Sequence, residues 1–370
     1  MLRSSTIIFI YIYFFLAVFP VYIFNPSAMN NSSGQTIDLI DGLSILRHVI
    51  FYTCSFIGLI FNITICVVIW NRKHLRQPLN LLIANLALAD IGSCIMSIYS
   101  STLVVLAIYN PQIYKKLPLI YYNNICKSVN FLTLISASGS MMTLAVISLE
   151  RFRGIIYPLK LQLRRSQTKF IIAFVWIYSS AVAALFVCFS SYEKQEVIEC
   201  SAVLSNHISI TQSIFTIISS IMSCVVPLSI IIPCYISIAI KICRKSLPMD
   251  DSEYKIKVMK SISKRNRCII ILLIITVISS LAYCPFLGIL NWILVGKLID
   301  PHFHFKLTRS SWVLFLVSSI VMLLPILLNP ILYNIANSQL KKEIKLLLWK
   351  VKFGLCSITL IRSRAFETTI

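Results

Sequence analysis

Seven long apolar segments, separated by loops whose lysines and arginines fall on alternate sides, constrain this chain more than any other feature. They run Ile45–Ile69, Leu79–Ile108, Ser128–Leu149, Phe170–Phe189, Ser213–Ile240, Cys268–Val295 and Trp312–Ile335. About 20 apolar residues at ~1.5 Å rise cross a hydrocarbon core of ~30 Å. Lipid offers the backbone no hydrogen-bond partner, so such segments must be helices. The fold class is therefore an all-α membrane protein. With 58% hydrophobic and 13% charged residues, a water-soluble globule of this length is excluded.

The net charge of +21 could suggest a nucleic-acid partner, but its placement argues against one. Of 34 basic residues, 25 lie between segments one and two, three and four, and five and six, or after the seventh. By the positive-inside rule these regions are cytoplasmic and the amino end is outside. Anionic inner-leaflet lipid is then the ordinary partner of the basic face.

An earlier apolar stretch, Ile7–Phe24, follows Arg3 and is broken by Pro20 and Pro26. It reads as a signal peptide over 1–26, with an uncleaved anchor as the alternative. Residues 27–44 would then be extracellular, 45–336 the membrane domain and 337–370 a cytoplasmic tail. Asn30 and Asn31 begin overlapping glycosylation sequons in the outer segment. Asn62 also begins one, but inside a membrane helix. Of twelve cysteines, only Cys126 and Cys200 fall on the oxidising side, which makes one disulfide between them the natural reading.

Asp90 lies about 18 Å from the cytoplasmic end of the second segment, at mid-membrane. A carboxylate there costs ~2.5–3.5 kcal/mol on insertion scales, so it must face the bundle interior. Around it stands an ordered set of motifs. Asn62 is in the first helix, Asn85-Leu86-Ala87-Leu88-Ala89-Asp90 in the second, and Cys126 precedes Arg151 by 25 residues. Glu150-Arg151-Phe152 continues to Ile155 and Pro158-Leu159. Trp176 marks the fourth helix, Pro227 and Tyr235 the fifth, Pro285 the sixth, and Asn329-Pro330-Ile331-Leu332-Tyr333 closes the seventh.

In this order and spacing the chain resembles the rhodopsin-like (class A) G-protein-coupled receptors over roughly residues 45–350. The resemblance implies a seven-helix bundle with a short amphipathic eighth helix after Tyr333, in which Leu340 replaces the family's usual Phe. It implies a heterotrimeric G protein as inner partner, contacting Glu150, Arg151, Phe152, Ile155, Pro158 and Tyr235. Asn329, Pro330 and Tyr333 belong to the same switch, with Asn329 and Tyr333 able to reach Asp90 through water. Pro227, Pro285 and Pro330 each remove an intrahelical hydrogen bond and create bends. Cys356 is a candidate for palmitoylation, farther from the helix than the family's usual site.

The departures from the family carry information too. Tyr283 stands where a Trp usually underlies the ligand pocket, and Ser279 replaces an aromatic that packs with Pro227 and Met141. Of the family's sodium pocket, Asp90, Ser140 and Asn329 remain beside Asn62, while Pro325 and Ile326 replace polar residues; Na⁺ is thus expected at most as an allosteric ion. Arg265 stands where some members carry an acid that restrains the third-helix Arg, which predicts basal signalling.

Thr133, 18 residues before Arg151, is not the Asp that pairs monoamines, and Leu323 is not the Lys that retinal needs. Neither ligand class is expected. Glu193, Glu196 and Glu199 in the second outer loop could steer a basic peptide, and an agonist of neuropeptide type is expected. Its pocket is assigned by position to Asn130, Thr133, Leu134, Tyr283, Phe286, Leu287, Asn291, Trp312, Phe315 and Ser319. No metal-spaced cluster or phosphate-cradling loop appears, so no enzymatic activity is expected. The competing readings are a decoy receptor that binds without coupling and a transporter, although the chain shows no internal repeat.

Overall fold

The structure is a computed structural model that describes residues 35–110, 118–157, 163–190, 209–244, 276–278, 281–299, 309–336 and 339–347, with isolated positions between them. The signal segment 1–26, Asn30, Asn31, Pro158, the loop glutamates, Arg265, Ser279 and Cys356 lie outside the described residues, as do the side chains of Trp312 and Phe315.

Helix α1 spans Gln35–Asn71. It starts ten residues before the expected membrane edge. A 3₁₀ turn, Lys73–Leu75, leads to α2, Pro78–Tyr109, which opens with proline at a position that needs no N–H donor. Asn80 donates to the Leu75 carbonyl at 2.8 Å and closes this inner turn. Helix α3 is Leu119–Ile156 and α4 is Arg165–Phe189.

The fifth rod, α5, is continuous from Ile210 to Arg244, but a π-helical turn, Ile221–Val225, interrupts it directly before Pro227. Tyr178 of α4 donates to the Met222 carbonyl inside that turn at 2.6 Å. The widened turn therefore has its own partner on a neighbouring helix. Helix α6 is Thr276–Ile299. The seventh rod is broken into Arg309–Val321 and Leu324–Ala336, which together form α7. Pro325 lacks the N–H that would bond Val321, so the first half ends there in a turn at Met322 and Leu323. Residues 339–347 form α8, with Leu340 and Ile344 buried against the bundle.

Six of the helices are long and apolar enough to span a membrane, and Leu316–Ile331 supplies the apolar part of the seventh. The polarity of the bundle runs inward. Phe170, Phe174 and Ile177 lie exposed on α4, while Asn62, Asn85, Asp90, Ser140, Thr143 and Asn329 are buried. Lipid tails are as apolar as leucine, so close packing and interhelical hydrogen bonds must hold such a bundle together. Helix α3 sits at the centre, packed on α2, α4 and α5, and α1 closes the ring against α2 and α7.

Candidate functional site

The inner core is built from bonds that prolines make necessary. Pro330 has no N–H, which leaves the Ile326 carbonyl four residues earlier without its helical donor. Asn62 fills that role: its Nδ2 donates to Ile326 O at 3.1 Å and to Gly58 O at 2.9 Å. Asp90, fully buried, accepts from Ser140 Oγ at 2.9 Å and from Asn329 Nδ2 at 3.0 Å. This carboxylate thus ties α2 to α3 and α7 directly. Asn85 of α2 joins α3 and α4 as well, donating to Thr143 at 2.9 Å and accepting from the Trp176 indole at 2.8 Å. The Tyr333 hydroxyl is buried without a hydrogen bond among the described residues.

At the inner end of α3, Phe152 and Ile155 pack against the core, and Phe152 meets Tyr157 edge-on at 6.0 Å. Lys241 of α5 donates to the Ile156 carbonyl at 2.9 Å, capping the last turn of α3. Tyr235 and Thr276 share a 2.8 Å hydrogen bond that joins α5 to α6 near Arg151. Glu343 of α8 pairs with Arg72 at 2.8 Å and approaches His74 at 3.7 Å, holding α8 against the first inner turn.

The outer end is closed by the Cys126–Cys200 disulfide that compartment alone had paired. Asn130 donates to the Cys126 and Cys200 carbonyls at 3.0 and 2.9 Å, and Asn123 accepts from the Tyr192 amide at 3.2 Å. The loop is therefore stitched to α3 at three points. Burial against Tyr122 and Phe186 raises the Tyr192 phenol above its ordinary pKa.

Beneath this loop lies a largely apolar cavity of about 330 Å³. Seven of the ten residues assigned to it by position line it: Asn130, Thr133, Leu134, Tyr283, Phe286, Leu287 and Ser319. Asn291 does not, because its amide turns to α5 and donates to Ser220 Oγ at 2.7 Å. Met141 and Tyr283 both line the cavity, and the buried Ser138 hydroxyl there has no hydrogen bond among the described residues. Sequence reasoning missed Arg47, His48 and Phe51, which also line the cavity. The available signal was a basic pair four and three residues before an aromatic, on one face of the first helix.

Residues 61–333 match the family model described as 7 transmembrane receptor (rhodopsin family). The chain belongs to that family, whose members are receptors, and it crosses the membrane several times. Among named relatives, it is 24% identical to neuropeptide FF receptor 1 of Rattus norvegicus, covering 80% of this chain and 68% of that one. It is also 24% identical to neuropeptide Y receptor type 6 of Mus musculus, covering 83% and 81%. A QRFP-like peptide receptor of Branchiostoma floridae is 34% identical over 137 residues, 36% of this chain and 34% of that one. Squid rhodopsin shares the fold with a TM-score of 0.62 at 17% identity, over 89% of this chain and 92% of that chain.

Proposed function

We propose that the chain is a plasma-membrane receptor for a neuropeptide-type agonist that activates a heterotrimeric G protein, with its amino end outside and its carboxyl end inside. One observation carries this reading. Helix α3 holds Thr133 on the cavity wall and Arg151 beside Tyr235 at the other end, about 27 Å away along one rod at ~1.5 Å per residue. A ligand that favours one arrangement of the cavity can therefore bias the inner end through a single rigid element. It can do so only by its differential affinity for the two arrangements.

The peptide class is supported by the relatives, whose names are those of neuropeptide receptors. Arg151, Phe152, Ile155, Pro158 and Tyr235 form the G-protein face in this reading, and Asn329, Pro330 and Tyr333 the hinge behind it. Of the residues that hold sodium in the family, Asp90, Ser140 and Asn329 stand together here, while Pro325 and Ile326 bring no side-chain oxygen, and this reading does not call on the ion.

The test is GTPγS exchange on membranes from cells that express the chain, screened with a neuropeptide library. Peptide-dependent exchange that is lost in Arg151→Ala is the expected result. Peptide binding without exchange for any Gα class would make the chain a decoy, and solute uptake without exchange would make it a carrier. Epitope tags at the two termini, probed before and after permeabilisation, check the orientation.

A further inference from the structure

Helices α5 and α6 run antiparallel, and two side-chain bonds fix their register. Asn291 donates to Ser220 Oγ at 2.7 Å near the outer end, and Tyr235 and Thr276 share a 2.8 Å bond near the inner end. Between those bonds each helix carries one free cysteine, Cys224 on α5 and Cys284 on α6. Cys224 lies four residues past Ser220, and Cys284 lies seven before Asn291. Those spacings return a side chain to the same face of a helix, so the faces that meet at Ser220 and Asn291 also present the two thiols to each other. The thiols are in hydrogen-bond contact. Cys224 is buried, and Cys284 packs against the same apolar core cluster.

Two opposed sulfur donors at the wall of a cavity are a ligand set of one chemical kind. Cys224 lines the outer cavity with Met141, Leu287 and Met322, and no Asp or Glu is among the described lining residues. Among the described residues no group of three His, Cys, Asp or Glu could hold a metal, so the four-ligand shell of a structural zinc site is missing there. Calcium and magnesium need oxygen donors. Thiolate and thioether sulfurs select Cu(I), and a facing pair of thiols suits its two-coordinate form. The charge balances as well. One thiol gives its proton to water and the other keeps its own, so the cation bridges the two sulfurs and leaves no net charge in the apolar wall.

We propose that Cys224 and Cys284 form a binding site for a soft monovalent cation, Cu(I), which enters through the outer cavity and bridges α5 to α6. The bridge lies three residues before Pro227 and next to Pro285, and each proline leaves its helix short of one backbone hydrogen bond. An occupied site therefore ties the two helices together beside their bends. Neither the agonist nor the G protein has a part in this binding.

The test uses the purified full-length chain in nanodiscs, free of oxygen, with ascorbate as reductant and Cu(I) supplied as its coloured bicinchoninate complex. The chain is expected to withdraw at least one equivalent of Cu(I), read as loss of colour, and to keep it against a large excess of Zn(II). Cys224→Ser and Cys284→Ser should each weaken binding at least about tenfold, the least that loss of even an outer partner of a metal ligand costs. Cys94→Ser and Cys234→Ser should leave it unchanged. In the unaltered chain, bound Cu(I) should shield Cys224 and Cys284 together from a small maleimide, read by peptide mass mapping, so the test stays in force if a variant misfolds. No withdrawal of Cu(I), its displacement by Zn(II), undiminished binding in folded Cys224→Ser or Cys284→Ser, or shielding confined to other cysteines overturns the proposal. Cu(I) binding without any agonist-driven nucleotide exchange would sink the coupling proposal and leave this one standing. Exchange with no Cu(I) binding would do the reverse.

Discussion

Asn62 donates a hydrogen bond to the backbone carbonyl of Ile326 at 3.1 Å, and it does so because Pro330 cannot. A side chain in the first helix thereby completes the backbone of the seventh, across 264 residues of sequence. The same amide also bonds Gly58 one turn above, so the two helices are joined where the seventh is weakest.

Asn62→Leu removes both bonds and leaves a buried carbonyl without a donor. A loss of about 1–3 kcal/mol is expected from that unpaired group. A fall in the melting temperature of the purified receptor, with the ligand-free state measured first, checks it. An unchanged melting temperature would show that water takes over the carbonyl.

Gly58 stands where the first and seventh helices touch. A methyl group there would come within 2.5 Å of Ile326 Cγ2. Gly58→Ala is expected to lower thermal stability and surface expression by overpacking, at a cost of about 1–3 kcal/mol. Combining it with Ile326→Ala should restore part of the loss, because the clashing atom is gone. If the double variant is no better than the sum of the singles, the contact is not the cause.

The Cys126–Cys200 bridge closes a loop of 74 residues. Loop-closure entropy alone gives about 4 kcal/mol for a cross-link of that span. Cys200→Ser is expected to cut surface expression sharply and to abolish agonist response. Asn130→Ala, which frees the same loop carbonyl but keeps the bridge, should have a milder effect seen chiefly as faster agonist dissociation. Comparable losses in the two variants would refute that ranking.

Tyr235 and Thr276 hold the inner ends of α5 and α6 together at 2.8 Å. Tyr235→Phe deletes one hydroxyl with almost no change in volume. A shift of about 0.5–1.5 kcal/mol in the balance of inner-end arrangements should follow, equivalent to a change of up to about tenfold in the midpoint of agonist-driven GTPγS exchange. Agonist affinity measured without G protein should move less than the midpoint of exchange. Equal shifts in both would mean that the bond acts on the cavity and not on coupling.

The seven spans, the buried Asp90 and the Cys126–Cys200 pairing were readable from the chain because each follows from a compartment. Run length separates lipid from water, and thiol oxidation separates outside from inside. The π-helical turn before Pro227 was not readable. Prolines mark where a helix can deviate, but the direction depends on which neighbour, here Tyr178, offers a partner for the displaced carbonyl. Asn130 shows the same limit. Its place facing the outer cavity was predictable from spacing, yet its amide is spent on the helix carbonyl of Cys126 and the loop carbonyl of Cys200.

The sequence by itself determined how many times this chain meets the membrane, which polar residues had to be buried, and to which family its motifs belong. Only the tertiary structure decided how each helix is rotated about its own axis. In a bundle whose lipid face and inner face are both apolar, hydrophobic periodicity carries little of that information. Rotation is set instead by where single polar atoms find partners on other helices, as Asn62 does at Ile326 and as Arg47 does at His48 on the cavity wall.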